Sequence, residues 1–296
     1  MAKAETRIYR SVLRPALSRP RFPSLSSAGA TVHFLALATL AAFAAAELMT
    51  TYVSPVGGIA LHAVILSALI LAASLMGDAG PSAEPSHISR FLYSLTLVPL
   101  IRILSLSMPL AKFDPVFWYL MAGLPVFLAA LVVMVPLGLR PQNIGLRWSW
   151  SPIQPGVAVL GFGLGLVEYQ ILRPEPLIEG LTLAHFVLPA TILMVATGFL
   201  EEFIFRGILQ TAASATLGGL VVLYVSLVFA ILHIGYRSAA DVVFVLAIAL
   251  IYGWVVRRTG SIIGVGISHG LTNIMLFLVV PFLPVVSGRL DWLGLP

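Results

Sequence analysis

Apolar residues run through this chain in blocks of about twenty, with most polar residues gathered between the blocks. A helix of about twenty residues crosses a hydrocarbon core of roughly 30 Å. The blocks fall near 31–53, 57–76, 90–110, 115–138, 154–172, 182–212, 218–235, 239–257 and 261–283. None alternates with period two, so a β-barrel does not fit. The pattern predicts an all-α fold, a polytopic transmembrane helix bundle of about eight or nine spans. The Pro- and Ser-containing segments 77–90 and 140–155 read as connecting loops, and no loop is long enough to fold alone. Trp148 and Trp150, in the second of them, are placed as interface anchors. The spacings GFGLG (161–165) and GSIIGVG (260–266) allow close helix packing.

Composition agrees on the solvent. Mean hydropathy is +1.02, with 59% hydrophobic and 10% charged residues, far outside the soluble range. Charge placement then suggests orientation. Lys3, Arg7, Arg10, Arg14, Arg19 and Arg21 precede the first span, and alternating spans put Arg90, Arg140, Arg147, Arg257 and Arg258 on the same side. Lys112, Arg173, Arg237 and Arg289 fall on the other. The positive-inside rule therefore predicts an integral protein of the cytoplasmic membrane with a cytoplasmic N-terminus. The basic start is expected to be a headgroup anchor or unstructured rather than a cleaved targeting segment. With no cysteine, disulfides, thiolate metal sites and a Cys nucleophile are unavailable.

Ionisable residues at membrane depth are costly and tend to mark function. They are Glu47, Arg102, Glu168, Glu201, Glu202, Arg206, His233, Asp241 and His269, with Asn273 as a polar companion. Glu47, Glu168 and Asp241 lie near span ends and are expected to snorkel to water. His33, His62 and His185 sit near span ends and read as interfacial or as hydrogen-bonded bystanders. Arg102 sits mid-span with no partner in its own helix, which points to an ion pair with another helix ahead of a substrate contact.

The stretch ATGFLEEFIFRGILQ (196–210) is less easily explained. Glu202 and Arg206 are four apart with the acid first, a favourable helical pair. Glu201 is turned by roughly 100° from Glu202 and needs another partner or water. The turn ASATLGG (213–219) places Glu201 and His233 each roughly 22–26 Å from its centre, hence at similar depth in a hairpin. His269 and Asn273 share one face of the last span. Side chains from three helices can therefore converge on one buried, partly wet cavity.

The strings EEFIFR (EExxxR), FAILH (FxxxH) and HGLTN (HxxxN), in this order, resemble the CAAX-protease and bacteriocin-processing family of intramembrane proteases. The stretch IYGWVVRRTGSIIGVGISH before the last histidine is also similar to that family. The resemblance covers roughly residues 184–280, four core helices. It implies peptide-bond hydrolysis by Glu201, His233, His269 and Asn273, with Glu202 and Arg206 supporting. A carboxylate kept from bulk water suits a general base near neutral pH. Glu201 would take a proton from a water held with His233, and His269 with Asn273 would stabilise the oxyanion. Phe229, one turn before His233, either orients the imidazole or is plain core.

The expected organisation is 1–30, a basic cytoplasmic segment; 31–180, accessory transmembrane helices; 181–283, the protease core; and 284–296, a C-terminal tail. The expected partners are membrane lipid and a peptide or protein substrate, such as a lipid-modified or membrane-anchored C-terminal segment, and no nucleic acid. No cofactor is expected. The alternative is zinc on Glu201, His233 and His269, although an HExxH pair is lacking. A non-catalytic immunity or binding protein and a transporter are the other readings; the latter would show repeat symmetry, which is not evident. The resemblance further implies a cavity open to the cytoplasm.

Overall fold

A computed structural model describes residues 27–77, 86–108 and 110–283. The predicted basic segment up to residue 26, part of the 77–90 loop and the 284–296 tail lie outside them. Among the described residues there is no strand, and eight helical stretches are long and apolar enough to cross a membrane. They are α1 (Gly29–Val53), α2 (Pro55–Leu75), α3 (His87–Ser107), α4 (Pro115–Met134), α5 (Ile153–Leu172), the long stretch Leu183–Tyr236, α8 (Ala239–Thr259) and α9 (Ile263–Phe282). The long stretch reverses at Gly218, which adopts φ 54, and so supplies two arms, α6 (183–217) and α7 (218–236). Nine arms result, in accord with the hydropathy blocks.

Local chemistry sets the helix starts. Ser54, Ser86, Thr182 and Ser238 each accept a hydrogen bond from the backbone N–H three residues on, capping α2, α3, α6 and α8. Gly260, at φ 67, closes α8 in the left-handed conformation that glycine takes without strain. Large apolar side chains such as Phe34, Leu37 and Val132 are exposed, as a lipid-facing surface requires.

The small-residue spacings do serve packing. A side chain at Gly161 or Gly165 would strike the Ser268 and Thr272 carbonyls of α9, so α5 lies along α9 at backbone distance. Gly198 of α6 meets Gly270 and Gly266 of α9 in the same way. α6 is also irregular. Two π-helical turns, Leu193–Phe199 and Phe203–Leu209, flank the short α-helical piece Leu200–Glu202 that carries both glutamates. Such turns concentrate at functional positions.

Hydrogen bonds define the two ends of the bundle. At one, Thr216 donates to the His87 carbonyl, Arg147 to Gly260, and the Ile262 N–H to Gly145. At the other, Arg237 donates to the Thr51 carbonyl and the Leu177 N–H to Phe277.

Candidate active site

The hairpin places α7 against α6: the Phe205 and Phe229 rings lie 4.8 Å apart, and the Arg206 guanidinium sits 4.6 Å over Phe229. An inner chamber of about 70 Å³ collects Glu201 and Arg206 from α6, Phe229 and His233 from α7, and His269 and Asn273 from α9. It adjoins an outer chamber of about 460 Å³, which shares Glu201, His233, Thr197, Phe229, Tyr119 and Tyr236. Six of the seven motif residues thus meet in one space. Glu202 does not line it.

His269 sits in the angle between the two glutamates. Its Nδ1 lies 3.0 Å from Glu202 Oε1, and its Nε2 lies 3.7 Å from Glu201 Oε2. Adjacent positions on a helix point about 100° apart, so one ring inserted between them can be addressed on both nitrogens. Glu202 is fully buried, and the same oxygen accepts from Arg206 Nη1 at 2.9 Å. Glu202 therefore does not simply turn away toward Arg206: it holds Arg206 and His269 together. Arg206, 1% exposed, also lies 5.8 Å from the Tyr252 ring centre.

The other polar groups are held from behind. His233 Nδ1 lies 2.9 Å from the Phe229 carbonyl, so that nitrogen carries the donated hydrogen and Nε2 is left for the chamber. Phe229 is buried in the core, and its ring lies 4.8 Å from His233 and 6.0 Å from His269. Asn273 Nδ2 donates to Thr197 Oγ1 at 2.8 Å. Thr197 in turn donates to the Leu193 carbonyl.

Several expectations need correction. Glu47 does not snorkel. It is fully buried and accepts from Arg102 Nε at 2.6 Å, with His62 Nε2 at 3.3 Å. The partner missing from Arg102's own helix is thus on α1, and Arg102 also donates to the Leu232 carbonyl, one residue before His233. His62 is not at the interface but is buried beside Glu47 in this cluster, nearer to the bystander reading. Glu168 is buried on α5 and lines the inner chamber, where spacing along one helix gave no sign of it. Asp241 is buried in the first turn of α8, where the helix N-terminus favours an anion.

Residues 183–275 match the family described as type II CAAX prenyl endopeptidase Rce1-like. The match falls on the same segment as the motifs that resemble the CAAX-protease and bacteriocin-processing family and supports that assignment. The match runs from the start of α6 into α9, about a third of the chain, and takes in every motif residue above. Arg102, Glu47 and Glu168, on the accessory helices, lie outside the family segment. A comparison with curated proteins finds no match, and none is found among solved structures.

Proposed function

We propose that this CAAX-protease-family core is an intramembrane endopeptidase in which Glu201 activates water. The observation that carries the reading is the single chamber holding Glu201, His233, His269 and Asn273, with the two histidines and the asparagine each held by a hydrogen bond to Phe229, Glu202 or Thr197. His233 Nε2 and the Glu201 carboxylate are both acceptors, so one water can donate to each. The water oxygen attacks the scissile carbonyl carbon while Glu201 takes the proton. The oxyanion receives the hydrogen on His269 Nε2 and the second N–H of the Asn273 amide. A ring protonated on both nitrogens balances the local charge, since Glu201 and Glu202 then face Arg206 and His269. Collapse breaks the C–N bond, and Glu201 returns its proton to the leaving amine.

The substrate is a peptide segment. The family points to a lipid-modified or membrane-anchored one, and the apolar side chains of the outer chamber, among them Ile101, Leu106 and Leu200, suit an apolar companion to the scissile bond. The step needs no metal. Among the described residues no three His, Asp or Glu side chains form a metal-ligating group.

The test is proteolysis of a peptide library by purified protein, with and without phenanthroline. Glu201→Gln keeps the side-chain volume but cannot take the proton, and turnover should fall by about 10²–10⁴ with the fold intact. Wild-type turnover in Glu201→Gln would remove Glu201 as the base. Loss with chelator, restored by zinc, would move the mechanism to a metal-bound water.

A further inference from the structure

The two ends of the bundle differ in what they expose. The outer chamber reaches Leu110 in the α3–α4 connection, Pro115 and Trp118 at the start of α4, and Leu177 in the α5–α6 connection. All of these lie at the end where Leu177 bonds to Phe277 and Arg237 to Thr51. No residue of the opposite end's connections, 134–152 or 259–262, lines either chamber. The mouth therefore opens at the end reached by the C-terminus of α1.

That end is poor in basic residues. Among the described residues its connections carry Lys112, Arg173 and Arg237, offset by Asp114, Glu175 and Glu179. The opposite end carries Arg90, Arg140, Arg147, Arg257 and Arg258, and six more basic residues precede α1 in sequence. A cytoplasmic N-terminus and a cytoplasmic mouth are thus incompatible in this fold: the charge rule and the resemblance point opposite ways. The charge rule rests on this chain's own residues, whereas the cytoplasmic mouth is carried over from the family.

We infer that the catalytic chamber opens to the non-cytoplasmic side of the membrane and takes peptide segments presented there, such as part of an exported or outwardly anchored polypeptide. This rests on the proteolytic reading for the word catalytic, while the direction of the mouth stands independently of it. A peptide of this class would approach between Trp118 and Leu177 and meet Glu201 and His233 at the inner end of the outer chamber.

The chain lacks cysteine, so single cysteines report directly on sidedness. Glu179→Cys and Glu175→Cys mark the mouth end, Trp118→Cys the mouth itself, and Gln142→Cys the basic end; all four positions are exposed. Glu175, Glu179 and Gln142 lie outside the proposed machinery, and Trp118, on the substrate path, is read for labelling alone. A membrane-impermeant maleimide added to intact spheroplasts should label the first three at least about tenfold faster than Gln142→Cys, and lysis should abolish the difference. Preferential labelling of Gln142→Cys, or equal labelling of both ends before lysis, would overturn the inference. Labelling needs no turnover. Full activity in Glu201→Gln alongside the expected labelling would therefore defeat the proteolytic reading while leaving the direction of the mouth in place.

Discussion

Replacing Glu202 by Gln should cost more stability than replacing its neighbour, although the two acids differ by one position. Glu202 is fully buried and its Oε1 receives both Arg206 Nη1 at 2.9 Å and His269 Nδ1 at 3.0 Å. Removing one partner of a buried pair typically costs about 3–5 kcal/mol, because the remaining charge is stranded. Gln keeps an acceptor, the Ala249 carbonyl still faces Arg206 Nη2 at 3.4 Å, and Phe229 and Tyr252 still flank the guanidinium. The lower end, about 3 kcal/mol, is therefore the expectation, roughly a 150-fold shift in the folding equilibrium. Glu201, whose side chain is 35% exposed, should lose far less on the same change. Reversible unfolding of both variants in mixed micelles measures the difference. The double variant Glu202→Gln/Arg206→Met removes the stranded charge and should be more stable than Glu202→Gln alone. A Glu202→Gln loss below about 1 kcal/mol, or a double variant worse than the sum of its parts, would refute the buried-pair reasoning.

The Glu47–Arg102 pair should behave likewise. Arg102→Met alone strands Glu47 beside His62, so Glu47→Gln/Arg102→Met should fold better than Arg102→Met, with a coupling of about 1–3 kcal/mol in a double-mutant cycle. A Cβ on Gly198 would lie 2.6 Å from Gly270 Cα, backbone against backbone, so Gly198→Ala should lower the thermal midpoint by an amount equivalent to about 1–3 kcal/mol. Gly163→Ala, which meets nothing within 4 Å, should leave that midpoint unchanged or slightly raised.

What the sequence revealed depended on whether the signal was local. The spans follow from blocks of side chains, and the pairing of Glu202 with Arg206 follows from spacing four on one helix. The common depth of Glu201 and His233 follows from counting along two arms joined at one turn, and both do line the shared chambers. Contacts between helices that are distant in sequence leave no such trace. Arg102 finds Glu47 fifty-five residues away, and nothing in either neighbourhood announces the other. Glu168 and Asp241 appeared able to reach water because one-dimensional distance to a span end ignores the neighbouring helices that cover them. The insertion of His269 between adjacent acids depends on how α9 is rotated, which the glycine contacts of α9 with α5 and α6 determine. The end at which the chamber opens is likewise a property of the assembled bundle.

The π-helical turns on either side of Leu200–Glu202 have a consequence for anyone wishing to transplant this site. The hexapeptide EEFIFR is not a portable cassette. A π turn holds one more residue than the α turn it replaces, so the same six residues grafted onto a regular helix would leave everything beyond Arg206 rotated by roughly 100°. Gln210, whose amide donates to the Gly253 carbonyl of α8, would then lose its partner, and the helix would meet α8 with the wrong face. A graft would have to carry residues 193–209 whole. A single-residue deletion within 203–209 that reverts the π turn to an α turn would instead keep the facing of the rest of α6 and disturb only the turn itself.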